Sequence, residues 1–267
     1  MMPALKAEFR KLLTVRSTYV ISLIFLLFAG FLTFYVDAFK NAPTETLSAL
    51  DHAKAQLFVA GNITQISNVL SVAGGLIALL LLAHEYRYNT IVYTLTASNR
   101  RSKVLAAKIL AVMVYVFLYQ VLACAIAIGL TFAGLHASGH HLPPQDINYL
   151  TFFAKVIFYG EAFAMTGLLF ITLIRNQVGA IAALFILPNT VEGLLSLLLK
   201  QNSVYMPFMA LAQVVQPPVI GGVSVAAHDA SHSTGYLSAP RGALVFLAYI
   251  AGAWIVAWYL FLRRDAT

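Results

Sequence analysis

One all-α domain that crosses a membrane six times is the fold class the sequence predicts, and three observations predict it. The chain of 267 residues is 60% hydrophobic and only 10% charged, against about 25% charged in soluble domains. A soluble protein of this make-up, with a mean hydropathy of +0.81, would lack the polar groups to cover its surface. Its apolar residues fall into six runs near Thr18–Val36, Ile66–Ala83, Val104–Ala133, Thr151–Ile174, Val178–Leu199 and Gly242–Leu262, which meet the roughly 20-residue length of a bilayer-spanning helix. The runs do not alternate as barrel strands do, and a helix satisfies its own backbone in lipid.

Taken in order, the chain begins with a basic amphipathic stretch, Ala4–Arg16, within an interfacial helix expected over residues 1–17. Leu5, Phe9, Leu12 and Leu13 share one helical face and Lys6, Arg10 and Lys11 lie towards the other, the pattern of a helix lying in the membrane interface. It reads either as an anchor for the first span or as a surface for a cytoplasmic partner. The first apolar run is longer than a signal-peptide core and has no small-residue cleavage site after it, so an uncleaved span is expected. Asp37–Gly61 reads as a polar loop containing Pro43. Span two carries a stripe of Thr64, Asn68, Ser71 and Gly75, suited to close helix packing or to lining a path. Span three is long enough to tilt or project, and it holds Cys124, the single cysteine of the chain, read as a small buried apolar residue.

The loop Gly134–Leu150 brings His136, His140 and His141 together with two prolines. Spans four and five are joined by the short connector Arg175–Gln177 and so form an antiparallel hairpin. Glu161 lies near the middle of span four and Glu192 in the outer half of span five. Ionisable groups at such depth are costly and mark function by default. Pro188-Asn189, just before Glu192, predicts a kink. In the stretch of residues 200–241, "MPFMALAQVVQPPVIGG" is apolar but too short to span before its Pro-Pro break, so re-entrant or interfacial helices are expected there, followed by an exposed loop.

Charge sets the sidedness. With six spans, one side holds Lys6, Arg10, Lys11, Arg16, Arg87, Arg100, Arg101, Lys103, Lys108, Arg175, Arg263 and Arg264. The other holds Lys40, Lys54, Lys155, Lys200 and Arg241. The positive-inside rule then puts both termini in the cytoplasm and residues 200–241 outside the cell membrane. The basic face is read as a topology signal beside anionic lipid, because no nucleic-acid motif accompanies it. The pairs His136/His140 and His228/His232 have i, i+4 spacing but fall in Gly-, Pro- and Ser-rich loops, so no metal site is expected. No hydrolytic motif and no phosphate-binding G-x-x-x-x-G-K-[ST] occurs. The chain is not its own ATPase, and no cofactor is expected in it.

The connector between spans two and three, residues 84–103, concentrates charge in an otherwise apolar chain. It reads as a short amphipathic element on which Tyr88, Ile91, Val92 and Leu95 can share a face. Glu85-Tyr86-Arg87, Thr90-Ile91, Leu95, Arg100-Arg101 and then Val104–Lys108 stand in the order of the cytoplasmic signature of the type 2 ATP-binding-cassette permeases, which this stretch resembles. Asn89 replaces the glycine of that pattern and the proline usual near Ser98 is absent.

The resemblance implies a single exporter-like permease domain over residues 1–267, with a basic N-terminal helix, six spans and short re-entrant helices before the last. It implies two cytoplasmic ATPase subunits carrying ATP and Mg, and a second permease, either another copy or a homologue. Coupling to the ATPase would rest on Glu85, Arg87, Thr90, Leu95, Arg100, Arg101 and Lys108. The path would run between the two permeases past Asn68, Ser71, Pro188, Asn189, Glu192 and Glu161. Two readings from other classes stand beside it: an ion-coupled secondary transporter or channel using Glu161 and Glu192, and an intramembrane enzyme using the histidines. The sequence names no cargo.

Overall fold

The computed structural model describes residues 2–40, 52–88, 90–96, 101–139, 149–215 and 237–263. Among them every regular element is helical, and six helices are long and apolar enough to cross a membrane. The face of the bundle on which helix α1 (Met2–Thr14) packs is called here the α1 face.

Helix α1 (Met2–Thr14) is separated from α2 (Arg16–Phe31) by Val15, whose backbone is extended at φ −78° and ψ 112°. The Thr14 hydroxyl donates back to the Arg10 carbonyl at 2.7 Å, competing with the helix backbone where the helix stops. Leu12 is fully buried and Leu5 and Phe9 pack on the core, but Leu13, expected on the same face, is exposed. The buried stripe is therefore Leu5, Glu8, Phe9 and Leu12, at i, i+3, i+4 and i+7.

The first candidate span ends at Val36, as expected, but its helix continues past it. It widens into a π-helix, Leu32–Lys40, and stacked rings of Phe31, Tyr35 and Phe39 run along it. Helix α3 (His52–Arg87) starts well before the expected second span. Both findings shrink the expected loop Asp37–Gly61, whose remaining part lies outside the described residues. Helices α3 and α5 (Arg101–Ala137) have 36 and 37 residues. At 1.5 Å per residue each is about 55 Å long, well beyond the roughly 30 Å of hydrocarbon. Short helix α4 (Thr90–Thr96) lies between them in sequence.

The core is the contact of α3 with α6 (Tyr149–Ile174), and it depends on glycine. A Cβ on Gly167 would run into the Gly75 carbonyl, so the two backbones touch with nothing between them. Small residues permit this approach where lipid gives no hydrophobic drive for helix association. Higher up, the Gln120 side chain of α5 fills the space over Gly160 and donates to the Leu70 carbonyl of α3 at 3.1 Å. The predicted polar stripe of span two thus divides: Ser71 and Gly75 are buried in this packing, Asn68 is exposed, and the side chain of Thr64 lies outside the described residues. Cys124 is buried as expected.

Helix α6 turns into α7 (Gln177–Ile186) through Arg175, at φ 55°, and Asn176, whose side chain accepts from the Gly179 amide at 3.0 Å. An asparagine cap satisfies one of the free amides of the new helix. Arg175 reaches over the Tyr86 ring, 5.9 Å from its centre, and ties the hairpin to the end of α3. The predicted kink at Pro188 takes the form of a π-turn, Leu187–Val191, which divides span five into α7 and α8 (Glu192–Leu199). Proline has no N–H for the α-ladder, and a wider turn absorbs the gap.

A 3-10 turn, Lys200–Tyr205, leads to α9 (Pro207–Val215), which starts on proline, a residue pre-set for the first helical position. In residues 200–241, where short re-entrant or interfacial helices are expected, this turn and α9 occupy the start through Val215, and α10 (Ala239–Arg263) begins before Gly242. Helix α9 packs on α10 and α6. Gly242 admits it, since a Cβ there would meet the Ala210 carbonyl.

Gly167→Val drives a branched side chain into the α3 backbone, and overpacking of this kind costs about 1–3 kcal/mol or more. Gly252 has open space where its Cβ would be. The thermal midpoint of the detergent-purified protein should fall clearly for Gly167→Val and stay level or rise for Gly252→Ala.

Candidate functional site at the α1 face

Four charged side chains from three helices meet under α1. Lys108, on α5, is fully buried; its Nζ lies 2.9 Å from Glu8 Oε2 of α1 and 2.5 Å from Glu85 Oε1 of α3. Lys11, one turn along α1 from Glu8, lies 3.1 Å from Glu8 Oε1 and 2.6 Å from Glu85 Oε1. Each lysine bridges both glutamates, so two cations and two anions close a neutral ring. Charges taken out of water cost several kcal/mol each, and only close opposite charges with good hydrogen bonds offset this. Glu8 is 2% and Glu85 5% exposed, so neither carboxylate has bulk water to fall back on. Burial works against the charge of Lys11, but its hydrogen bond to Glu85 and the charges of Glu85 and Glu8 outweigh that and hold its ammonium above the usual lysine range. Glu85 Oε1 takes both lysines, and Glu85 Oε2 is buried with no hydrogen-bond partner.

Helical geometry explains the meeting. Glu8 sits on the buried stripe of α1, Glu85 in the last turn of α3 and Lys108 in the second turn of α5. Sequence reasoning missed Glu8. Its signal was available: it is the sole acid in the basic segment Ala4–Arg16, and it lies three residues after Leu5 and four before Leu12, on the apolar side.

The residues predicted for coupling divide into two groups. Glu85 and Lys108 are inside the ring, so any influence they have on a partner passes through the helices they join. Arg87, beside the Tyr88 ring at 5.6 Å, and Thr90 are exposed. Of the residues expected to share a face, Ile91 is buried and Val92 exposed within α4, Tyr88 precedes α4 and is exposed, and the side chain of Leu95 lies outside the described residues. Tyr93 is exposed as well. Leu95 is in α4 and Arg101 opens α5, but their side chains, and Arg100 altogether, lie outside the described residues. The expected coupling segment, residues 84–103, is not a separate piece: its first residues complete α3 and its last begin α5.

The residues predicted for the path do not converge in a single chain. Ser71 is buried and donates to the Asn68 carbonyl at 2.9 Å. Asn68 and Asn189 are exposed, and Asn189 donates to the Phe185 carbonyl at 2.9 Å. Pro188 is half-buried in the π-turn. Glu192 accepts the first amides of α9, from Phe208 at 3.0 Å and Met209 at 2.8 Å. A carboxylate there suits the positive end of the helix dipole and fastens α9 to span five. Glu161 has both carboxyl oxygens buried without a hydrogen-bond partner. His136 belongs to the last turn of α5 rather than to a loop; His140, His141, His228 and His232 lie outside the described residues. Among the described residues no three metal-ligating side chains gather.

Six helices long and apolar enough to cross a membrane, with a charge-locked cluster at one face, define a multi-pass membrane protein. The chain belongs to the ABC-2 family of transporter proteins: that family's model matches residues 2–266, nearly its whole length. It is accordingly a permease subunit of an ATP-binding-cassette transporter. No curated protein matches the sequence.

Removing one member of the ring leaves its partners charged and buried, which costs about 3–5 kcal/mol. Lys108→Met should lower the unfolding midpoint sharply. Adding Glu85→Gln, which leaves the Glu8–Lys11 pair balanced, should recover part of the loss, as a double-mutant cycle on the detergent-purified protein would read. Glu192→Ala should speed amide hydrogen exchange in α9 while leaving α6 protected.

Proposed function

We propose that this permease exports its cargo across the cytoplasmic membrane, driven by ATP hydrolysis in two separate cytoplasmic subunits that dock on α4 with the adjoining ends of α3 and α5. The single observation that carries this reading is the ring of Glu8, Lys11, Glu85 and Lys108 directly behind an exposed α4. Arg87, Tyr88, Val92 and Tyr93 offer a partner a cation and apolar or aromatic surface, the residue types enriched at protein contacts. Ile91 pins α4 to the core from within. A push on α4 then passes to α3 and α5 together, because breaking their buried ion pairs costs more than moving them as one body. Helix α1 follows through Glu8 and Lys11. The positive-inside distribution supports placing this face in the cytoplasm.

A second permease, the same chain or a homologue, would complete the path. The exposed asparagines Asn68 and Asn189 on otherwise apolar helices support that, since an amide facing lipid is costly and a partner would cover it. The ion-coupled alternative rests on Glu161, whose unpartnered oxygens favour it; Glu192 is engaged as the cap of α9.

Arg87→Glu and Tyr93→Asp alter exposed side chains only. Both should leave insertion and thermal stability unchanged and weaken co-purification of the ATPase and ATP-driven transport in proteoliposomes by about tenfold, a loss of roughly 1.4 kcal/mol at the contact. Full transport by both variants would sink the docking assignment. Gradient-driven flux by the isolated chain, lost in Glu161→Gln, would establish the alternative instead.

A further inference from the structure

The outer face of α1 carries charge that the fold leaves unanswered. Lys6, Arg10 and Thr14 stand one turn apart on it, at i, i+4 and i+8, and all three are exposed. Glu8, the only acid of α1, is on the opposite side and is engaged with Lys108 and Lys11. Among the described residues no acid pairs with Lys6 or Arg10. Like charges one turn apart on a helix repel, so this face gains from an anion brought to it. A shallow recess of about 470 Å³ runs along it, lined by Lys6, Ala7, Arg10, Lys11 and Thr14.

The same face continues into apolar surface. Leu13, three residues after Arg10, is exposed, and the Tyr19 hydroxyl of α2 donates to its carbonyl at 2.8 Å. Arg16, exposed and three residues before Tyr19, lies on the same side of α2. From Tyr19 an exposed stripe of Leu23, Leu27 and Phe31 follows span one at steps of four. Cations, then an aromatic ring at the start of a span, then apolar side chains: that is the order of a membrane interface facing anionic lipid. An acidic protein surface would meet the cations and leave the stripe bare. A second copy of the chain would cover the stripe but bring another set of the same cations. An anionic phospholipid matches both parts at once.

We propose that the outer face of α1 is a docking surface for anionic phospholipid, with the phosphate shared by Lys6 and Arg10 and the acyl chains lying along Tyr19, Leu23 and Leu27. A zwitterionic choline head carries the phosphate too, but it sets a fixed cation among three others. Lipid on this face holds from outside the same helix that the ring of Glu8, Lys11, Glu85 and Lys108 holds from inside. The assignment concerns the bilayer alone and stands whether or not α4 docks an ATPase.

The test is native mass spectrometry of the full-length, delipidated protein in a neutral detergent. It is titrated in parallel with phosphatidylglycerol and phosphatidylcholine of the same acyl chains. Phosphatidylglycerol should be held about tenfold more tightly, because each basic side chain near an anionic lipid surface contributes several-fold in affinity. Lys6→Gln combined with Arg10→Gln changes exposed side chains only, so it should leave the unfolding midpoint level and erase that preference. Lys200→Gln combined with Arg241→Gln removes two other exposed cations and should keep it. In nanodiscs of phosphatidylcholine, added phosphatidylglycerol should slow amide hydrogen exchange in α1 of the wild type and not in the Lys6 and Arg10 variant. Equal binding of the two lipids by the wild type, a preference kept without Lys6 and Arg10 or lost with Lys200 and Arg241, or unchanged exchange in α1 would each overturn the assignment. If the Lys6 and Arg10 variant kept its lipid preference but lost a co-purifying ATPase, the face would belong to an acidic surface of that subunit instead.

Discussion

Two lysines and two glutamates, set among apolar side chains, hold three separate helices to one point. The constraint is electrostatic and unforgiving: Lys108 has no water to turn to, so the helices bearing Glu8 and Glu85 must stay where their carboxylates reach it. Hydrophobic packing could place α1 on the bundle in several registers, since lipid tails compete for the same apolar surface. The charges leave one register. The placement of α1 and the closeness of the ends of α3 and α5 follow from satisfying these four groups.

The rest of the bundle obeys a different rule. Away from the ring, helices meet through backbone proximity and single polar rungs. Gly75 and Gly167 let α3 and α6 touch, Gln120 joins α5 to α3, and Glu192 fastens α9 to span five. Each rung satisfies a polar group that lipid would leave stranded. The α1 face is thus a rigid, charge-locked unit, and span five, with its π-turn and its largely exposed α8, is far less enclosed.

Much of the architecture was legible in the residues. The six spans were read from run length, and the hairpin at Arg175 from the shortness of its connector. The break in span five was read from Pro188, and the short helix before the last span from an apolar run cut off by Pro-Pro. These features are local, and local rules decide them. The polar loop after span one was misjudged because helical hydrogen bonding continued through residues whose polarity suggested a turn. Which residue of α4 turns inward was not legible, because only contact with the core selects Ile91.

What the sequence alone determined is which parts of this protein belong in a membrane and which side carries the positive charge, because hydration energy is a property of each side chain wherever the chain goes. What only the tertiary structure decided is the fate of the charged residues. In the sequence Glu85 and Lys108 belong to one cytoplasmic signature and Glu8 is lost in a basic stretch. In the fold they form a closed ring with Lys11 while Arg87 stays outside. Ion pairing depends on distances between groups as far apart in the chain as Glu8 and Lys108, and those distances exist only once the helices have packed.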